Sequence, residues 1–238
     1  MTDIDPDRTL ASLVEETPAY ARAFESLGLD YCCEGDRTLA TACDQADLAV
    51  DDVRARLRET RDREDADADD WEGLADLADH VVETHHDYLR EELPALQDLV
   101  AKVARVHGEN HPELRELEAE FSELAEEMRE HIEEEETELF PVVGKLDRGE
   151  SPSTDEAARL REAIRTFEDD HAATADRLDR IAELTDGYAV PGDACASYRS
   201  MLDRLDRLER DTHMHVHREN NVLFPRAEER LPTGPAEA

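Results

Sequence analysis

Two stretches of this sequence repeat a pattern able to bind metal. His131-Ile-Glu-Glu-Glu135-Glu-Thr-Glu-Leu139-Phe140-Pro141 returns as His215-Val-His-Arg-Glu219-Asn-Asn-Val-Leu223-Phe224-Pro225, both of the form H-x3-E-x3-L-F-P. Ahead of each copy, at nearly the same remove, stands a further histidine: His86 after Val82, and His171 after Phe167. Positions i and i+4 share a helix face one turn apart, so each His-x3-Glu presents an imidazole and a carboxylate together. Two glutamates from facing helices can bridge two metal ions, and imidazoles complete each ion while leaving exchangeable positions. Nitrogen-rich bridged pairs suit iron that must bind a diatomic ligand. The expected ligands of two non-haem, carboxylate-bridged iron ions are therefore His86, His131, Glu135, His171, His215 and Glu219. A lone helical histidine is ordinarily a surface or satisfied core residue; six matched positions in a duplicated pattern are not explained that way.

The remaining histidines fit less well. His85 competes with His86, but the Val82/Leu89/Leu93 stripe favours His86. His213 and His217 flank His215 on other faces and are expected to be solvated or to back the ligands. His107 lies on the His86 stripe, yet about 31 Å along one straight helix. His80 and His111 read as surface residues.

The ligands need four long helices to carry them. Ala75, Val82, Leu89, Leu96 and Val103 recur every seven residues, a stripe that faces a core, with Pro94 bending the helix without ending it. Gly108–Pro112 makes the first turn. Further helices are expected over 113–140, 154–185 and 193–225, broken at Gly149–Pro152 and Gly187–Gly192. Short turns between such helices give an all-α, up-down-up-down four-helix bundle. His86 and His131 lie about 20–24 residues either side of their shared turn, and His171 and His215 about 19–25 from theirs, so all reach one level. Before the bundle, residues 1–60 read as a small helical domain. It has one helix from Thr17-Pro18 to Leu27, stopped by Gly28, and others over 38–46 and 51–59. Residues 61–72 read as an acidic linker, leaving 73–230 for the bundle.

The charge excludes some partners. Asp and Glu number 63 against 27 Lys and Arg, for a formal net charge of −36, and only Lys102 and Lys145 are lysines. The acids are spread through periodic apolar patterns, which argues for a folded protein whose acidic surface suits a halophilic, high-salt cytoplasm. Such a surface repels phosphate backbones, so no nucleic-acid partner is expected. No segment approaches the ~20 apolar residues of a membrane span, and no basic-then-apolar leader opens the chain, so a cytoplasmic protein is expected.

Four cysteines, Cys32, Cys33, Cys43 and Cys195, make neither a disulfide framework nor a C-x-x-C pair. Cys43 and Cys195 read as buried small residues. The adjacent pair Cys32-Cys33, on a turn followed by Glu-Gly-Asp, is harder to explain by packing because successive side chains diverge. A reactive or iron-relaying role is expected, although nearby acids would raise the thiol pKa.

These motifs together resemble the iron-sulfur cluster repair di-iron proteins, in which a short cysteine domain precedes a hemerythrin-like bundle. The resemblance rests on Leu27-Gly-Leu-Asp-Tyr-Cys32-Cys33, Val103-Ala-Arg-Val-His107, Asp170-His171 and the two H-x3-E-x3-L-F-P copies, and it spans nearly the whole chain. It implies repair of iron-sulfur clusters damaged by nitrosative or oxidative stress, with damaged iron-sulfur proteins as partners and NO or O2 as small ligands. The bundle iron would be donated or would handle NO, with an NO-reducing activity as the enzymatic variant. A hemerythrin-like O2 or NO sensor or carrier is the alternative, and a homodimer is compatible with the sequence. Two departures stand out: Glu34 replaces the family's first glycine after Cys-Cys, and Ala175 stands where an oxygen carrier has another histidine.

Overall fold

The computed structural model describes residues 4–61, 71 and 73–232. Among them the first unit has four short helices, α1 (Leu10–Glu16), α2 (Tyr20–Glu25), α3 (Leu39–Gln45) and α4 (Val50–Arg61). Thr9 caps α1 and Thr38 caps α3, each hydroxyl accepting from a backbone N–H at 3.2 Å. The two starts are tied together by Leu10 N–H to the Arg37 carbonyl and Leu39 N–H to the Arg8 carbonyl. Helix α1 is absent from the sequence reading, although Thr9 followed by Leu10, Leu13 and Val14 has the required cap and spacing. Gly28 ends the α2 region at φ +65°, where Leu29 N–H reaches back to the Phe24 carbonyl. The acidic linker expected over 61–72 lies outside the described residues except at its edges.

Four long rods follow. The first joins α5 (Leu74–Val81) to α6 (Asp87–His107) through a π turn, Val82–His86. The second joins α7 (Glu113–Glu134) to α8 (Phe140–Asp147) through a π turn, Glu135–Leu139. The third is α9 (Thr154–Leu184), opened by a capping box of Ser153 and Glu156. The fourth joins α10 (Ala196–Arg218) to α11 (Phe224–Glu229) through a π turn, Glu219–Leu223. They form the expected all-α bundle with Pro94 inside α6.

The rods are longer than Leu-Phe-Pro suggests. The second and fourth run on past Pro141 and Pro225 rather than ending there. The cause is the π turn just before each proline, in which Phe140 N–H reaches the Glu135 carbonyl and Phe224 N–H that of Glu219. Widening the helix there makes room for a ring that would otherwise crowd the preceding carbonyl.

The bundle core has two apolar halves. One is built from residues such as Leu93, Leu96, Phe121, Leu124, Met201 and Leu205. The other holds Leu77, Val81, Leu139, Phe167, Leu223 and Phe224. A polar layer lies between them. The small unit has its own core, including Phe24, Tyr31, Leu39 and Leu57, and Val216 of the fourth rod packs into it. No helix among the described residues is long and apolar enough to cross a membrane.

Candidate metal centre

The polar layer contains all six residues of the repeated pattern. His86, Glu135, His215 and Glu219 are fully buried, while His131 and His171 are nearly so. Three of the four rods carry a π turn at this level: His86 closes one, and Glu135 and Glu219 each open one. Such turns shift the helical register where a side chain must be re-aimed.

The six side chains form two donor groups. His86 and His215 face Glu135 and Glu219 in one, and His131 and His171 face the same two glutamates in the other. Each hairpin therefore sends its two imidazoles to different groups, and both glutamates are shared. Nε2 of His86 lies 3.1 Å from Nε2 of His215, and Nε2 of His131 lies 3.0 Å from Nε2 of His171. Carboxylate oxygens lie 3.4 Å from His86 and His131, 3.2 Å from His171 and 3.0 Å from His215. Two nitrogens each about 2.1 Å from one ion, at right angles, stand about 3.0 Å apart, so these spacings fit a cation in each group.

Hydrogen bonding outside the cluster sets the tautomers. Nδ1 of His86 donates to Glu136 at 2.7 Å, and Nδ1 of His171 donates to Asn220 Oδ1 at 2.7 Å. Both Nε2 lone pairs then face inward, as metal ligation requires. Glu136 and Asn220 occupy the same place in the two repeats, directly after the shared glutamate. Each orients the first-rod histidine of its own hairpin. Sequence reasoning missed both, though their position in the repeat was the signal. His85 backs the site rather than entering it: it stacks on His215 at 5.5 Å and bonds Asp211 at 3.0 Å and Arg218 at 2.8 Å. Burial presses its pKa down to about 4, so it stays neutral.

The donor set is incomplete on protein contacts alone. Apart from the four imidazoles, no hydrogen-bond partner is found for either oxygen of Glu135 or Glu219, and none is found for Nδ1 of His131 and His215. Burial works against charge on Glu219, yet His215 and His171 hold its pKa well below the carboxylate range. Burial also works against a charged His86 or His171, and the two glutamates outweigh it and raise both. Protons thus balance the carboxylates until a cation displaces them.

The remaining candidates fall elsewhere. His107 sits at the far end, 3.2 Å from Cys195, and His111 bonds Asp193 at 3.1 Å. Cys43 is buried as expected, but Cys195 is exposed, because it caps the start of α10 rather than facing a core. His217 is buried, with Tyr31 against it at 5.6 Å, so it is not solvated.

The loop that carries Cys32 and Cys33 is tied to the rod that carries Glu219. Asn221, next to Asn220, donates from Nδ2 to the Cys32 carbonyl at 2.8 Å. Gly35 lets the loop approach: a Cβ there would sit 2.3 Å from the Tyr31 carbonyl and 2.8 Å from Asn221. Glu34 needs no left-handed backbone, so its replacement of a glycine leaves the loop unstrained. The two thiols divide: Cys32 is raised, as nearby acids lead one to expect, and Cys33 departs from that expectation. Cys32 donates toward Cys33, and His171 adds to the effect, so Cys33 is lowered and Cys32 raised.

A cavity of about 550 Å³ separates the small unit from the third and fourth rods beside Cys32, with Glu25, Asp179, Asp206 and Glu209 in its wall. Burial, with these neighbouring carboxylates, pushes Glu209 up to about 7. A carboxyl raised on folding stabilises fully below its unfolded pKa of about 4.3, and that contribution is lost as pH rises through about 7. Glu209→Gln should therefore raise stability near pH 8 by about 1–2 kcal/mol, discounted for partial exposure, and leave it unchanged near pH 4. Urea titrations at the two pH values check this.

Residues 77–227 match the family model described as Hemerythrin HHE cation binding domain, and residues 6–61 match ScdA_N, described as a domain of unknown function. The chain is 32% identical over 222 residues to the iron-sulfur cluster repair protein ScdA of Staphylococcus haemolyticus, covering 93% of this chain and 98% of that one. It is 33% identical over 225 residues to the iron-sulfur cluster repair protein YtfE of Yersinia pestis, covering 93% and 96%. The relative named YtfE in Pectobacterium atrosepticum is 32% identical over 223 residues. With a cation-binding bundle behind a matching N-terminal domain, the chain belongs to the iron-sulfur cluster repair family of hemerythrin-type proteins.

Proposed function

We propose that this chain repairs iron-sulfur clusters damaged by nitrosative or oxidative stress. Residues 73–230 would hold two iron ions through His86, His131, Glu135, His171, His215 and Glu219, and residues 1–60 would present Cys32 and Cys33 to the damaged protein. The observation that carries the reading is the pair of buried donor groups sharing Glu135 and Glu219, with the cysteine loop bonded to the same π turn. When bound, the iron pair supplies redox chemistry toward NO or O2. Ferrous iron is also the cargo that a damaged cluster lacks.

The chain's own residues prepare this. Glu136 and Asn220 hold two imidazoles with their lone pairs inward. The apolar halves above and below exclude water. Asn221 keeps the cysteine loop against the rod that carries Glu219. The relatives named as repair proteins support the same reading over nearly the full chain.

Two expected results follow from this division of labour. Asn220→Ala removes the acceptor that fixes His171, so metal affinity should fall by roughly 10–100-fold, in the position His171 serves. Competition with a chelator of known affinity measures it. Cys32→Ala/Cys33→Ala should keep its iron yet lose at least about tenfold in the rate of restoring an NO-damaged cluster enzyme. Repair at the wild-type rate would remove the cysteines from the function.

A further inference from the structure

The Asp30–Cys33 turn gathers a third donor group, apart from the bundle centre. Asp30 Oδ1 accepts from the backbone N–H of Cys32 and of Cys33, both at 2.9 Å, and lies 3.2 Å from Cys32 Sγ. The two sulfurs are 3.8 Å apart, and one donor atom from each of the three residues lies within 4.8 Å of the others. Side chains of consecutive residues ordinarily diverge. Here the carboxylate of Asp30 from below and Asn221 on the Cys32 carbonyl fold the turn so that both thiols point the same way. Two thiolates about 2.3 Å from one tetrahedral ion stand about 3.8 Å apart, so the pair already has the bite of a chelate.

We propose that Asp30, Cys32 and Cys33 form a second, mononuclear site for ferrous iron, with one position left open to a client's sulfur ligand. The proposal rests on the repair reading and deepens it, since this is where iron would leave the protein. Access fits the role. The cavity opens on Asp30 and Cys32, and its carboxylates Glu25, Asp30, Asp179 and Asp206 outnumber its guanidiniums Arg22 and Arg210, which favours cations. The bundle centre is close by through adjacent residues, because Asn220 bonds His171 while Asn221 bonds the cysteine loop.

The chemistry is ligand exchange without electron transfer. Cys32 and Cys33 each lose a proton to solvent as two Fe–S bonds form, and Asp30 supplies an oxygen through its carboxylate. On hand-over a client thiolate or sulfide bonds the ion at the open position. The bonds to Cys33, Cys32 and Asp30 then break, each cysteine regains one proton, and Asp30 is left as the free carboxylate.

Anaerobic titration of the full chain, first brought to two irons per chain, with cobalt(II) tests this through thiolate-to-cobalt charge-transfer absorption. The band should saturate near one equivalent and vanish in Cys32→Ser and in Cys33→Ser. Asp30→Asn keeps an oxygen for the two backbone bonds but loses the charge, so it should need roughly tenfold more cobalt. His131→Ala, impaired in the bundle centre, should give the wild-type band. No band in the wild type, an unchanged titration in Asp30→Asn, or a band lost in His131→Ala would overturn the site. A band that behaves as expected in a protein that repairs no cluster would leave the site standing and remove the repair reading instead.

Discussion

Glu219→Ala should empty both metal positions at once. Its carboxylate belongs to both donor groups, 3.2 Å from His171 Nε2 in one and 3.0 Å from His215 Nε2 in the other. Loss of a histidine acts first on a single group; loss of Glu219 removes a carboxylate from both. The cost should exceed the roughly 10–100-fold expected for Asn220→Ala, which removes only an outer hydrogen bond. Bound iron should fall to background after desalting, and repair of a damaged cluster enzyme should fall with it. Full retention of iron in either position would show that Glu219 is not shared. Glu135→Ala should behave in the same way, since Glu135 lies 3.4 Å from both His86 and His131.

Stripping the metal should cost the fold nearly as much as a large core deletion. Glu135 and Glu219 are completely buried, and the polar groups that meet their oxygens are the four imidazoles. Imidazoles must then carry protons to balance them, an arrangement with a heavy desolvation cost in so dry a layer. A cation held at a thousandfold above its Kd adds about 4 kcal/mol to folding stability. For a chain of this size that corresponds to a fall in Tm of about 8–16 °C on chelation under reducing conditions. Scanning calorimetry of the loaded and stripped protein measures it. A Tm unmoved by complete iron removal would mean that the polar layer is self-sufficient.

Much of this was legible in the sequence, because repetition and helical spacing are local signals. His-x3-Glu on one face, and His86 and His171 at matching distances, placed six side chains at one level. Side-chain direction within that level was less accessible. The π turns that re-aim His86, Glu135 and Glu219 leave no composition signature beyond the prolines at 141 and 225, which read as helix ends. Glu136 and Asn220 were hidden for a related reason: in a regular helix the residue after a ligand points away, and only the widened turn brings it back onto an imidazole. In the small unit, α1 was overlooked because seven residues are too few for a periodic stripe. Its cap and its ties to α3 stabilise it instead. The cysteine pair showed its chemistry but not its geometry, since the convergence of the two thiols depends on Asn221, far away in the chain.

The central claim is a carboxylate-bridged iron pair, and Mössbauer spectroscopy with metal analysis of anaerobically purified protein tests it most directly. The account predicts about two irons per chain, with the spectrum of a spin-coupled pair in the oxidised protein. A single uncoupled iron, or zinc in its place, would contradict it.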